Sequence, residues 1–226
     1  MNKIIKRIIS NIRPNKKIID GMTFYLHKGE ESYSNNLYFR PTDQKVDFEI
    51  NEGDIIIDIG ACIGFYTIIF SRLTGTTGKV YAFEPDFENF VLLKKNIKVN
   101  NCNNVIAVNC AVSDFNGFSK FYFNKKYKGG GSLISKDYLN DIDNVITIDL
   151  KSFIKEADFY KIDVEGNELK IIKSIKPILK TGNKLFVECQ VKGELYDYLM
   201  KFNSIEIKNG KGELHDIYLT WHTNID

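Results

Sequence analysis

The chain has 226 residues, 43% of them hydrophobic, 13% aromatic and 27% charged, the balance of a globular protein and not of a disordered, fibrous or collagenous one. Its 31 Lys and Arg against 29 Asp and Glu leave a formal charge of +2, too near neutral for a surface-wide nucleic-acid footprint, so no nucleic-acid partner is expected. Cys62, Cys102, Cys110 and Cys189 include no CxxC pair and stand among apolar residues, which suggests neither a zinc site nor a disulfide framework and reads as reduced thiols of a cytoplasmic protein.

One domain spanning residues 1–226 is the simplest expectation for this length. At its start, Ile4, Ile5, Ile8, Ile9 and Ile12 recur at helical spacing among Lys3, Lys6, Arg7 and Arg13, predicting a basic amphipathic helix over 1–14 that ends near Pro14. Two readings stay open: weak contact with a membrane surface, which would make the protein peripheral, or isoleucines packed on the domain with the lysines in water. A single short basic helix is a weak anchor without lipidation. The segment lacks the continuous apolar core of a secretory signal, and no apolar run in the chain approaches the roughly 20 residues that span a bilayer.

From Asp54 onward, short apolar runs alternate with helical patterns. DIIIDIG reads as a strand, FYTIIFSRL as a helix, KVYAFEP as a strand, DFENFVLLKKNIKVN as a helix capped by Asp86, and NVIAVNCAVSD as one further strand. After an interruption come the helix DLKSFIKEA, the strand DFYKIDV, the helix GNELKIIKSI, the strand KLFVECQ and the helix GELYDYLMKF. Such alternation predicts a doubly wound α/β fold with a mostly parallel sheet. SIEIK and ELHDIYLTW are separated only by NGKG, so an antiparallel C-terminal edge hairpin should finish it. The interruption, residues 117–148, holds the alternating FSKFYFN, the run KKYKGGGSLIS and NVITI, a small β insertion with a mobile glycine-rich tip. Lys125, Lys126, Lys128, Gly129, Gly130, Gly131 and Ser132 would serve either as a lid over an acceptor or as a solvated tip.

In open parallel sheets, ligands bind beyond the carboxyl ends of the strands. The first parallel strand ends in Asp58-Ile-Gly60-Ala-Cys62-Ile-Gly64 and runs into a helix, whose free N–H groups suit an anionic group. Gly60 would allow a tight turn and Gly64 a close ligand approach. A dinucleotide fingerprint would want glycines where Cys62 and Phe65 stand, which opposes a nicotinamide-dependent oxidoreductase. An acid followed by spaced glycines resembles instead the first motif of class I S-adenosylmethionine-dependent methyltransferases, with Cys62 in place of the middle glycine. Glu84, at the end of the next strand, suits a carboxylate accepting from both hydroxyls of a ribose.

DIGACIGFYT, YAFEPDFENFVLLKKN, VNCAVSD, GGGSL and above all YKIDVEGNELKIIKS resemble the FkbM-type methyltransferases in order and spacing. The resemblance covers about Gly53 to Glu188 and implies a seven-stranded methyltransferase sheet, S-adenosyl-L-methionine as cofactor, and O-methylation of a hydroxyl on a sugar, glycan or other small metabolite. It also implies Asp58, Gly60, Ala61, Cys62 and Gly64 around the methionine moiety, and Glu84 with Pro85 at the ribose. Ala111, Val112 and Ser113 would bound the adenine. Asp114 would accept from its amino group or simply form a turn before Asn116-Gly117. The family usually carries Asn where this chain has Cys62.

Lys161-Ile-Asp163-Val-Glu165-Gly166 ends the fourth parallel strand, and residues 161, 163 and 165 share a face if the strand continues. Glu188, ending the neighbouring strand, would add a third acid. Asp163 is the first candidate for a general base, with Glu165 and Lys161 orienting it or the acceptor, and His215 an alternative base. Lys161 would compete for the carboxylates, which favours a site without metal. His27, His215 and His222 are dispersed. A non-catalytic nucleoside-binding scaffold is opposed by the presence of Asp58, Glu84, Asp163 and Glu165 together.

Overall fold

The computed structural model describes residues 14–28, 37, 48–125, 127–190, 192–202, 205–211 and 214–221. The helix expected over 1–14 lies outside them, apart from Pro14. In chain order the elements are β1 (Lys16–Ile19), β2 (Met22–Tyr25), β3 (Ile55–Ile59), α1 (Phe65–Leu73), β4 (Lys79–Phe83), α2 (Phe87–Val99), β5 (Val105–Val108), β6 (Ala111–Ser113), β7 (Gly117–Asn124), β8 (Tyr127–Ser132) and β9 (Asp141–Asp149). Then follow α3 (Leu150–Phe153), β10 (Phe159–Ile162), α4 (Glu168–Ile175), a 3₁₀ turn (Lys176–Ile178), β11 (Lys184–Gln190), α5 (Glu194–Leu199), β12 (Ile205–Lys211) and β13 (Leu214–Thr220).

Seven strands form one sheet in the order β12-β13-β11-β10-β3-β4-β5. The five from β11 to β5 run parallel, and β13 and β12 close the edge antiparallel. Side-chain parity splits the core between the two faces. Ile57 and Ile59 of β3, with Tyr160, Ile162, Leu185 and Val187, meet Ile171, Ile172 and Ile175 of α4 and Leu199 of α5. Ile56, Val80, Phe159 and Phe186 point the other way onto Phe70 of α1 and Phe48. The Phe48 ring lies edge-on at 5.1 Å from both Phe70 and Phe186 and at 5.5 Å from Phe159. The expected doubly wound sheet is therefore present, and its strand order reverses between β3 and β10, where a crevice must open.

Three local expectations are corrected. Residues 105–113 are not one strand: β5 stays in the main sheet, while β6 pairs in parallel with β9 in a second sheet ordered β6-β9-β7-β8. The break is at Asn109, whose amide donates to the carbonyls of Glu84 at 2.8 Å and Pro85 at 3.1 Å, turning the chain out of the main sheet. The glycine-rich run is likewise no solvated tip. It forms β8, antiparallel to β7, and Gly131 lies so close to Phe121 that an added Cβ would stand 2.2 Å from the ring. In the final hairpin, β12 continues through Asn209 to Lys211 past an irregularity after Ile207, so the first three residues of the expected NGKG turn belong to the strand.

The sequence analysis assigned nothing to residues 16–25, yet they form a hairpin, β1 with β2. Asp20 (φ 47°) and Gly21 (φ 68°) supply the left-handed pair that a two-residue turn demands. Ile19, Met22 and Phe24 pack with Phe65 and Ile68 of α1. The outer edge of β2 is taken up by two carboxamides one turn apart, Asn96 in α2 and Asn100 at its C-terminal cap. Asn100 accepts from Thr23 N at 2.8 Å and donates to Thr23 O at 2.7 Å, and Asn96 accepts from Tyr25 N at 2.6 Å and donates to Tyr25 O at 3.1 Å.

Candidate active site

A cavity opens over the carboxyl ends of β3, β4 and β10. Its floor is Gly60, Ala61 and Cys62 after β3, Glu84 and Pro85 after β4, and Lys161, Asp163 and Val164 at the end of β10. Cys110, Ala111 and Val112 form an apolar wall, and the second sheet supplies the roof through Phe121, Lys128, Gly129, Gly131 and Ser132.

The turn after β3 is shaped by its own neighbours. Gly60 has φ +77°, and a Cβ there would stand 1.8 Å from the carbonyl oxygen of Asp163; only glycine lets the ends of β3 and β10 approach so closely. Gly64 is not among the lining residues. Its φ of +91° starts α1, and a Cβ would meet Leu93 at 2.6 Å, so it serves helix packing and not the expected ligand approach. Cys62 adopts φ +50°, a left-handed conformation uncommon outside Gly and Asn. Its N–H donates to Glu84 Oε2 at 2.7 Å.

Glu84 is nearly inaccessible, and its other oxygen accepts from Asp86 N at 2.9 Å and Asn89 Nδ2 at 3.4 Å. Burial pushes its carboxyl up to about 7 despite those donors, with the Asp86 charge adding to the rise. A carboxylate offers about four acceptor positions; three are taken, so one remains on Oε2 for an incoming hydroxyl, and a second hydroxyl would displace the long 3.4 Å contact from Asn89. Asp86 caps α2 through Asn89 N at 2.9 Å, as expected. It also holds the Lys128 ammonium of the roof at 3.1 Å, and Asn89 donates to Lys128 O at 2.8 Å. Neither roof bond was visible in the sequence, because each joins residues about forty positions apart.

Asp58 does not reach the cavity: it is fully buried, accepts from Thr67 Oγ1 at 2.5 Å and lies 3.4 Å from Lys161 Nζ. Its expected contact with a methionine moiety is thereby replaced by an indirect role. Lys161 bridges Asp58 and Asp163 Oδ2, each at 3.4 Å, and donates to the carbonyls of Ile59 at 3.3 Å and Gly60 at 3.0 Å. Burial works against its charge, but Asp163 and then Asp58 outweigh that and hold it above the ordinary lysine range. Burial pushes the Asp58 carboxyl up, opposed by Lys161. Lys161 is thus a permanently charged positioning residue, while Asp163, one third exposed, faces the cavity.

The strand does not continue to residue 165, as the shared-face argument required. β10 ends at Ile162, and Glu165 adopts φ +60°. Its carboxylate meets Lys136 at 3.0 Å, and its carbonyl accepts from Ser132 Oγ at 2.9 Å. Ser113 and Asp114 are not among the lining residues; the Ser113 hydroxyl donates to Asp114 and accepts from Asn167 Nδ2. Glu188 lines a neighbouring cleft. His27 pairs with Asn89 at 2.8 Å. His215 stands opposite Cys189 in the β11–β13 pairing, with its side chain outside the described part, and His222 lies outside it altogether. Burial raises the Cys110 thiol to about 12, which makes it inert. Among the described residues, no group of three or more His, Cys, Asp or Glu is placed to hold a metal, and no helix is long and apolar enough to cross a membrane.

Comparison with known proteins gives this geometry a family. The hexuronic acid methyltransferase AglP of Haloferax volcanii is 28% identical over 142 residues, covering 62% of this chain and 57% of that protein. Methyltransferase 1 of Beauveria bassiana is 22% identical over 55% of this chain and 59% of its own length. The chain thus spans a little over half the length of both. Among solved structures, methyltransferase FkbM from Methylobacillus flagellatus aligns with a TM-score of 0.54 at 16% identity, over 81% of this chain and 46% of that one. Aeropyrum pernix fibrillarin, solved with natively bound S-adenosyl-L-methionine, aligns at 0.51 with 13% identity, over 78% of this chain and 70% of its own. These likenesses show the class I methyltransferase fold. The methyltransferase FkbM domain profile matches residues 58–219, most of the chain, and the chain therefore belongs to the FkbM methyltransferase family.

Proposed function

We propose that this protein is an S-adenosyl-L-methionine-dependent O-methyltransferase acting on a hydroxyl of a sugar or glycan. One observation carries the reading: a single cavity at the strand-order reversal holds both Glu84 and the accessible Asp163. The residues fit the cofactor. Glu84 keeps one acceptor position for a ribose diol and gains a second where Asn89 gives way, Cys110, Ala111 and Val112 offer an apolar wall to a purine, and the loop from Gly60 to Cys62 leaves room for the amino acid portion. The sugar acceptor draws support from the relative that acts on a hexuronic acid.

When bound, the cofactor supplies a methyl group already made electrophilic by its sulfonium. The protein's task is then alignment and removal of the hydroxyl proton. Asp163 faces the cavity with Lys161 fixed against one carboxylate oxygen, which limits its swing. A carboxylate is far too weak a base to ionise an alcohol in advance; Asp163 takes the proton late, as the new bond makes the oxygen acidic. Glu165 lines the same cavity and is held by Lys136 at 3.0 Å. The test is calorimetry with S-adenosylhomocysteine and NAD, followed by transfer of labelled methyl to a glycan panel. Binding of S-adenosylhomocysteine alone, with label in a sugar ether, is the expected result; tight NAD binding would overturn the reading.

A further inference from the structure

Asn167 is a buried carboxamide that the chemistry above does not use. It stands at the N-terminal boundary of α4, is 4% exposed, and lines the cavity together with Cys110, Ala111 and Val112. Its Nδ2 donates to Ser113 Oγ at 3.2 Å, and the Ser113 hydroxyl donates to Asp114 Oδ1 at 3.0 Å. Because Ser113 directly follows Val112, this relay ties the carboxamide to the apolar wall.

The relay also fixes which end of the carboxamide is left to meet a ligand. A carboxylate only accepts, so the single hydroxyl hydrogen of Ser113 is committed to Asp114, and Ser113 Oγ can only accept from Asn167. The group that meets Ser113 is therefore the amide nitrogen, and the oxygen is turned away from it. An Asn at this position of a helix ordinarily spends its oxygen on a free N–H of the first turn, but Asn167 makes no such bond. Among the described residues no donor reaches Oδ1, which is nonetheless not sealed from solvent. A nearly buried acceptor of this kind is costly to leave without a donor, and the cavity is the place from which one can come.

We infer that Asn167 Oδ1 accepts from the 6-amino group of the cofactor's adenine and makes the site selective for a 6-aminopurine over a 6-oxopurine. The inference rests on the S-adenosyl-L-methionine reading above and deepens it by assigning the residue that reads the base. The donor must be uncharged, since it lies against Cys110, Ala111 and Val112, and an exocyclic amino group on the edge of a flat ring meets that need. A 6-oxo group would set two acceptors against each other, and Asn167 could not invert to meet it without giving up its bond to Ser113. A site built around one hydrogen bond rejects the analogue that lacks it far more strongly than an apolar pocket could. Asp114, the acceptor expected from the sequence, then acts through Ser113 and Asn167 and does not touch the base.

The experiment is calorimetry on the full chain with S-adenosylhomocysteine and S-inosylhomocysteine, which differ in the 6-substituent of the purine, in one buffer. The unaltered protein should bind the adenosyl compound about tenfold or more tightly than the inosyl compound. Asn167→Ala should weaken the adenosyl compound about fivefold or more, leave the inosyl compound within about twofold, and so shrink the preference. A purely structural role for Asn167 would weaken both ligands together and keep their ratio. Equal affinity for the two compounds in the unaltered protein, or a ratio unchanged in Asn167→Ala, overturns the assignment and leaves the cofactor reading standing. Absence of S-adenosylhomocysteine binding to the unaltered protein removes both.

Discussion

Glu84 makes cofactor affinity a function of pH. Its carboxyl is pushed up to about 7 chiefly by burial, so near neutrality about half of the molecules carry it protonated. Only the carboxylate can keep the N–H bonds from Cys62 and Asp86 and also accept from two ribose hydroxyls. Apparent affinity therefore scales with the ionised fraction, about one tenth at pH 6 and nine tenths at pH 8. The dissociation constant for S-adenosylhomocysteine should fall about tenfold between those values and level off above. The sign follows from linkage: the acid's pKa is raised in the free protein, binding favours its deprotonated form, and a proton is released. Calorimetry at pH 6 in two buffers of different ionisation enthalpy should detect release of about 0.9 proton. The same shift, from 4.5 to about 7, corresponds to about 3 kcal/mol of destabilisation of the unliganded fold that is absent below pH 4.5 and fully present above pH 7. Glu84→Gln should weaken binding at pH 8 by about 5- to 100-fold and abolish its dependence on pH. A dissociation constant constant from pH 6 to 8 in the unmodified protein would refute the reasoning.

Asp163→Asn should lower turnover by about 10²- to 10⁴-fold with S-adenosylhomocysteine affinity nearly unchanged; lost affinity would instead assign Asp163 to holding the cofactor's amino group. Phe48→Ala, emptying a site enclosed by four aromatic rings, should cost about 3–5 kcal/mol in urea unfolding, and a loss below about 1 kcal/mol would show that the cluster collapses to fill the space. Gly60→Ala should prevent accumulation of folded protein, because the new methyl meets a backbone carbonyl that cannot move aside; a folded variant with normal circular dichroism would disprove the close approach of β3 and β10.

The alternation of apolar runs with helical patterns was readable because each parallel strand is buried on both faces and each helix carries one apolar stripe. Asp86 as a cap and Glu84 at a strand end followed from the same local patterns. The division between β5 and β6 was not readable, since the apolar pattern runs through Asn109 and the break depends on its bonds to Glu84 and Pro85. Position at a strand end likewise cannot distinguish a carboxylate that faces a ligand from one covered by a neighbour's lysine, which is why Asp58 was expected in the cavity and lies beneath Lys161. The hairpin at Asp20-Gly21 did carry a signal, a two-residue turn pair between apolar runs.

The carboxamides of Asn96 and Asn100 also bear on solubility. A two-stranded ribbon such as β1–β2 has an outer edge of unpaired peptide groups, a template on which other chains can add strands and aggregate. A carboxamide carries the same donor and acceptor as a peptide group. Here two of them, one helical turn apart, reproduce the hydrogen-bonding row that a third strand would offer, so helix α2 seals the edge without lengthening the sheet.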